Sequence, residues 1–105
     1  YAPDQDYGLK RSDEVNFFGI PAATISAPLK IINKTRCNYL FMNTYYEKDC
    51  LIIDIEEPKF STTSSLVFMH DLNQHIENKI KLNPEEYLWQ HRRFKSTLGK
   101  EKIYK

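Results

Sequence analysis

The sequence predicts a small α/β domain in which a β-hairpin accompanies a long amphipathic helix. Two β-rich runs, residues 38–46 and 51–56, lie close together in the middle of the chain. Apolar side chains at helical spacing then follow over residues 66–82. Because 105 residues with 41% apolar content can bury only a modest core, we expect one small domain or part of one.

The first part of the chain is predicted to be irregular. Over residues 1–21, proline and glycine interrupt the sequence, and only a short apolar run separates two charged stretches. Phe17 and Phe18 of that run are expected to anchor the loop to the core. A short helix is predicted over residues 28–33 with Pro28 in its first turn, since proline in a helix interior costs about 3 kcal/mol.

The middle of the chain predicts two antiparallel strands. Residues 38–46 are rich in Tyr, Phe, Leu and Thr, and apolar side chains recur at alternate positions in residues 51–56. The connection at residues 47–49 has the length of a hairpin turn. We therefore expect the two strands to pair with each other.

Residues 66–82 carry the clearest helical pattern in the chain, and the Ser/Thr-rich run before them offers a helix cap. The positions expected to face the core are Met69, Leu72, Ile76 and Ile80. Asn83 and Pro84 then favour a new short helix ending at Gln90. That helix would place the basic residues from His91 onward at its carboxyl end, where the helix dipole favours cations.

Charge is distributed unevenly along the chain. The formal net charge is +1, but the stretch from His91 to Lys105 holds six Lys or Arg residues against Glu101 alone. A local basic patch indicates one anionic partner or surface, whereas a uniformly basic domain would indicate nucleic acid. The two cysteines, Cys37 and Cys50, lack histidine partners at metal-ligand spacing, which argues against a metal site. No apolar run reaches the length of about 18 residues that a membrane span needs.

The start of the basic stretch has the composition of an anion site. Arg92 and Arg93 offer rigid forks that suit phosphate, Lys95 adds a point charge, and His91 and Trp89 stand beside them. The same residues are also compatible with a solvated charge run after a helix. In a third interpretation, one arginine clamps the loop around an aspartate of the first segment.

Three segments carry a family resemblance. They are Tyr1-Ala2-Pro3-Asp4-Gln5-Asp6-Tyr7-Gly8, Phe17-Phe18-Gly19-Ile20-Pro21-Ala22-Ala23-Thr24, and Pro84-Glu85-Glu86-Tyr87-Leu88-Trp89-Gln90-His91-Arg92-Arg93-Phe94-Lys95. In this order they resemble the late acyltransferases of lipid A biosynthesis, the lauroyl and myristoyl transferases of Gram-negative bacteria. Only the carboxy-terminal part of a family member is covered. Residues 1–105 are accordingly expected to be the carboxy-terminal part of a single acyltransferase domain.

The resemblance implies a fold and an activity. The implied fold is a partial glycerol-phosphate-acyltransferase-like mixed sheet with flanking helices. The implied reaction moves a fatty acyl chain from an acyl carrier protein thioester to a hydroxyl of a phosphorylated Kdo-lipid A precursor. It implies no cofactor, metal or nucleic acid, and it places the enzyme on the membrane surface at the cytoplasmic face of the bacterial inner membrane.

Acyl transfer to a hydroxyl needs a general base, which in this family is the histidine of a His-x-x-x-x-Asp/Glu motif. That motif is missing from the sequence, because His70 is followed at the required spacing by His75, His75 by Ile80, and His91 by Ser96. The catalytic pair is therefore expected to lie upstream of Tyr1. The chain alone is expected to be inactive.

The resemblance also assigns residue roles. Asp4 would support the catalytic pair or the acceptor, although a turn held by Asx hydrogen bonds is an alternative reading of its loop. The substrate-binding residues implied are Arg92, Arg93, Lys95, His91 and Trp89.

A second hypothesis comes from a different functional class. The basic and aromatic tail could make the chain a small binding module for a phosphate-rich partner, either RNA or an anionic membrane. Binding of that kind would weaken as salt is raised.

Overall fold

Two antiparallel hairpins and two helices make up the fold, in a computed structural model that describes residues 1–98. The α/β class predicted from sequence is confirmed. The elements are β1 (Ser12–Phe17), β2 (Ile20–Ile25), α1 (Ala27–Thr35), β3 (Phe41–Glu47), β4 (Cys50–Glu56) and α2 (Ser65–Leu82), with 3-10 turns at Leu9–Arg11 and Pro84–Glu86. Part of the predicted basic tail, residues 99–105, lies outside the described residues.

The loop prediction for residues 1–21 is wrong over its second half, because β1 and β2 pair as a hairpin there. Phe18 and Gly19 form its two-residue turn with φ of 50° and 76°, the left-handed geometry that matches strand twist. The side chain of Glu77 on α2 accepts a hydrogen bond from the Phe18 backbone N–H at 2.7 Å. Phe17 is buried as expected, whereas Phe18 is partly exposed.

The predicted hairpin in the middle of the chain is confirmed. β3 pairs antiparallel with β4, and the strand begins at Phe41, three residues later than the sequence pattern indicated. Lys48 and Asp49 form the turn with φ of 47° and 64°. These two positive values define a primed turn, in which non-glycine residues are strained.

The strain in this turn gives a stability prediction. Changing Lys48→Asn together with Asp49→Gly is expected to raise the unfolding free energy by about 1 kcal/mol, because Asn-Gly adopts this turn most readily. Pulse proteolysis across a urea series measures the change at low protein concentration. The single variant Asp13→Gly, in the body of β1, is the matched control and should destabilise. An unchanged or lower urea midpoint for the double variant would contradict the turn geometry.

Two of the three predicted helices are present, as α1 and α2. Proline stands at the start of α1, and the Ser64 side chain caps α2 by accepting from the Val67 N–H. The four core positions predicted on α2 are all buried, which confirms its helical pattern. The core cluster consists of Val15, Phe17, Ala22, Leu29, Phe68, Met69, Leu72, Ile76 and Ile80.

The short helix predicted to run to Gln90 is wrong. Only Pro84–Glu86 forms a 3-10 turn, and Tyr87 is already extended. Glu86 does not close a capping box. Its carboxylate accepts from the Tyr46 backbone N–H on β3 at 3.2 Å. The basic residues that follow therefore have no helix dipole behind them, and their positions depend on tertiary contacts.

Candidate functional site

The first loop and the last described segment meet at Asp6, which is only 3% exposed. Its carboxylate accepts from the Ser96 hydroxyl at 2.6 Å, from the Ser96 N–H at 2.9 Å and from the Gly8 N–H at 2.9 Å. Its own backbone N–H donates to Nε2 of His91 at 2.9 Å. One aspartate thus joins two segments that are 85 to 90 residues apart.

The charge of Asp6 is stabilised inside this network. Burial raises the pKa of the Asp6 carboxyl, but the hydrogen bonds from Ser96 and Gly8 and the nearby charge of Lys95 outweigh it, so its pKa lies below the ordinary value of 3.8. Asp6 is therefore ionised, and separating its carboxylate from these hydrogen-bond donors would cost free energy. His91 takes part in the network by accepting the Asp6 backbone N–H at its ring nitrogen Nε2.

Arg93 occupies the interior instead of the surface, with 2% of its area exposed. Its guanidinium donates to the Ala23 carbonyl at 2.6 Å, to the Thr24 hydroxyl at 3.0 Å and to the Asn73 side-chain oxygen at 3.5 Å. It also lies 5.1 Å from the centre of the Phe17 ring. Arg93 therefore braces β2, α2 and the tail from the interior, where the sequence pattern suggested a surface position.

The neighbouring cations remain at the surface. Arg92 and Lys95 are both exposed, on either side of buried Arg93. Trp89 is 60% exposed, and its indole N–H donates to the Pro84 carbonyl at 2.6 Å. The predicted basic and aromatic cluster is therefore divided, with Arg92, Lys95 and Trp89 accessible and Arg93 and His91 engaged in internal contacts. The binding roles assigned to these residues stay predictions.

Asp4 lies apart from the Asp6 network. It is partly exposed and is one of the residues lining a cleft of about 530 Å³ between the first loop, α1, α2 and β3. The walls of the cleft are mainly apolar, including Ile31, Leu72 and Ile76. The supporting role predicted for Asp4 is untested by this geometry.

A second polar cluster links β4 to α2. Lys79 lies 2.8 Å from carboxylate oxygens of both Asp54 and Glu56, and His75 Nε2 lies 2.6 Å from a carboxylate oxygen of Glu56. Lys79 holds the pKa of Glu56 below its usual value, and Asp54 with Glu56 raises the pKa of Lys79. His75 also packs against Phe41 with ring centres 4.4 Å apart. These contacts fasten the hairpin to the helix.

Sequence reasoning missed the residues that assemble the site, namely Asp6, Ser96, Thr24 and Asn73. Asp6 stands in the same short motif as Asp4, so the only available signal was the motif itself. Within residues 1–98, no group of three or more metal-binding side chains comes together. In the same range, no helix combines the length and apolarity that a membrane span requires.

Comparison with known proteins identifies relatives over nearly the whole chain. Residues 1–96 match a family described as bacterial lipid A biosynthesis acyltransferase. The chain is 32% identical over 110 aligned positions to a lipid A biosynthesis palmitoleoyltransferase of Escherichia coli K12, and equally to a lipid A biosynthesis acyltransferase of Shigella flexneri. A second Shigella flexneri protein, lipid A biosynthesis acyltransferase 2, is 24% identical over 94 positions, covering 85% of the chain and 30% of its own length. The first two alignments cover 99% of this chain but 36% of each relative, so the chain spans about a third of their length.

Proposed function

Because the chain belongs to the bacterial lipid A biosynthesis acyltransferase family, we propose that it forms the carboxy-terminal part of an enzyme that acylates a lipid A precursor. The donor is an acyl carrier protein thioester, and the acceptor is a hydroxyl of a phosphorylated Kdo-lipid A precursor. The enzyme works at the cytoplasmic face of the inner membrane. Its full fold is a glycerol-phosphate-acyltransferase-like sheet to which this chain contributes the two hairpins.

The convergence of the three family-like segments carries this proposal. Asp6 of the first segment is bonded to the tail through Ser96 and His91. Arg93 of the third segment is bonded to Thr24 of the second. Charge-assisted hydrogen bonds are among the stronger ones in proteins, and functional side chains need supporting contacts of this kind to hold their positions.

Within that unit, the exposed cations contact the substrate. Arg92 and Lys95 are carried by a segment that Arg93 and Ser96 fix to the core, so they are presented to an anion without loss of backbone freedom. A phosphorylated precursor supplies such an anion, and guanidinium and ammonium groups both bind phosphate. Asp4, in the lining of the cleft, supports the acceptor.

The chemical step requires a histidine base supplied by a His-x-x-x-x-Asp/Glu pair elsewhere in the enzyme. That histidine takes the proton of the acceptor hydroxyl, the oxygen attacks the thioester carbon, and the carrier thiolate leaves and is protonated. The residues of this chain bind and orient the acceptor for that attack. They do not exchange protons with it.

The proposal predicts a binding defect when the exposed cations are removed. In a chimera whose matched third of the E. coli palmitoleoyltransferase is replaced by this chain, Arg92→Ala with Lys95→Ala is expected to lower kcat/KM by at least about tenfold, because each charged hydrogen bond contributes about 1.5 to 3 kcal/mol. The loss should appear mainly as a higher KM for the acceptor, since these contacts form before the transition state. Acyl transfer to a lipid A precursor is the assay.

The matched control removes an exposed cation elsewhere. Lys34 is exposed on α1, where alanine is well tolerated, so Lys34→Ala should leave kcat/KM unchanged. If the double variant and the parent chimera had equal kcat/KM values, Arg92 and Lys95 would not take part in binding the acceptor. A parent chimera without acyl transfer would count against the proposed function itself.

A further inference from the structure

Strand β3 has one edge that no described residue pairs with. The two-residue turn makes Glu47 and Cys50 directly opposed partners that exchange backbone hydrogen bonds. Bonded and non-bonded pairs alternate in an antiparallel ladder, so the N–H and C=O groups of Met42 and Thr44 point away from β4. Tyr46 shows this direction, because its N–H bonds to Glu86 on the far side.

The apolar cleft runs along this free edge. Five consecutive residues of the chain, 41–45, line it, while no residue of β4 does. Its lining also includes Pro3 of the first loop, Ile31 of α1 and Tyr87 of the tail. The strand that carries the outward N–H and C=O groups of Met42 and Thr44 therefore forms part of the cleft wall.

We propose that this cleft receives an extended strand from the remainder of a family-length acyltransferase, which pairs with β3 at Met42 and Thr44. The inference rests on the proposed function, since this chain covers 36% of the length of its first two relatives. The added strand would turn a two-stranded ribbon, which is marginally stable alone, into part of a larger sheet. Its side chains would alternate, with apolar ones packed on Leu72 and Ile76.

Backbone chemistry favours a strand over a fatty acyl chain in this cleft. An alkyl chain would cover the N–H and C=O groups of Met42 and Thr44 without hydrogen-bonding to them, which is costly for buried polar groups. A strand satisfies both while filling the same apolar space.

Hydrogen exchange in the chimera with the E. coli palmitoleoyltransferase tests the pairing. The amides of Met42 and Thr44 should exchange at least tenfold more slowly in the chimera than in the 105-residue chain, which corresponds to about 1.4 kcal/mol of added protection. Thr44→Pro blocks the outward N–H without touching the β3–β4 ladder, and should abolish the protection at Met42. Ile53→Pro is the matched control, because Ile53 faces Thr44 across the ladder and its N–H points to the other edge.

Several results would overturn the pairing. Equal exchange in chimera and isolated chain would do so, as would equal sensitivity to the two proline variants. Protection that grows with concentration in the isolated chain alone would identify a second copy as the occupant instead. A third outcome combines two results. If the Met42 and Thr44 amides are not protected in the chimera, and dodecanoic acid binds equally well with and without Thr44→Pro, the cleft is an acyl site instead.

Different measurements test the strand pairing at β3 and the proposed function, so one can be contradicted without the other. Protected amides in a chimera without acyl transfer would support the strand and remove the function. Acyl transfer with unprotected amides would support the function and remove the strand.

Discussion

Replacing Arg93 with alanine is expected to lower the unfolding free energy by about 3 to 5 kcal/mol, because each buried hydrogen bond to a charged group contributes about 1.5 to 3 kcal/mol. The guanidinium donates hydrogen bonds to the Ala23 carbonyl, the Thr24 hydroxyl and the Asn73 side-chain oxygen. Its loss leaves these buried acceptors without that donor and opens a cavity beside Phe17. A domain of this size has a total stability of about 5 to 15 kcal/mol. The variant should therefore be partly or wholly unfolded.

Two matched variants separate burial from charge. Arg92→Ala removes the same side chain one residue away from an exposed position, and is expected to change stability by less than about 0.5 kcal/mol. Arg93→Lys keeps the charge but cannot reproduce the fork, so it should fall between the two. Pulse proteolysis in urea ranks the three. Equal midpoints for Arg93→Ala and Arg92→Ala would show that the interior contacts of Arg93 do not stabilise the fold.

Local patterns were enough to predict the middle of the molecule. The α2 helix follows from apolar spacing that continues for five turns, and its four predicted core residues are buried. The β3–β4 hairpin follows from two β-rich runs separated by a short connection, which the structure narrows to a turn of two residues. In both cases the deciding interactions connect residues close in sequence.

The elements that failed depend on distant partners. The β1–β2 hairpin turns at Phe18, an aromatic residue with positive φ that α2 holds through Glu77, 59 residues away. The predicted helix to Gln90 does not form, and Glu86 instead accepts a hydrogen bond from the backbone of Tyr46, 40 residues away. Neither contact leaves a periodic signal, so propensity alone favoured the wrong structure.

For the candidate site, composition identified segments that the structure brings together, but it could not tell the buried members of each segment from the exposed ones. Arg92 and Arg93 are indistinguishable as neighbouring arginines, yet one is exposed and the other is 2% exposed. Only the position of β2 decides which of them enters the interior. The same holds for Asp4 and Asp6, whose environments differ because Ser96 lies against just one of them.

Asp6→Asn is expected to lower kcat/KM for acyl transfer by about 100-fold in the chimera. An amide can accept from Ser96 or Gly8 with its oxygen, but its NH₂ group then faces a donor, and the lost charge-assisted bonds contribute about 1.5 to 3 kcal/mol each. The tail that carries Arg92 and Lys95 would no longer be fixed. Asp4→Asn, in the same loop but outside this network, should have the smaller effect. The reverse order would make Asp4 the required carboxylate, as the family resemblance implies.

The pH dependence of stability provides an independent readout of the same residue. The folded pKa of Asp6 is lowered from 3.8, so the unfolded chain binds the proton more readily than the folded one. The stabilisation is fully present above the unfolded pKa and is lost as pH falls through the lower folded pKa. The stability advantage of the parent over Asp6→Asn should thus be constant above about pH 5 and shrink as the solution is acidified below 3.8. A pH-independent difference between the two proteins would mean that the Asp6 charge does not hold the tail, because a purely steric role would not titrate.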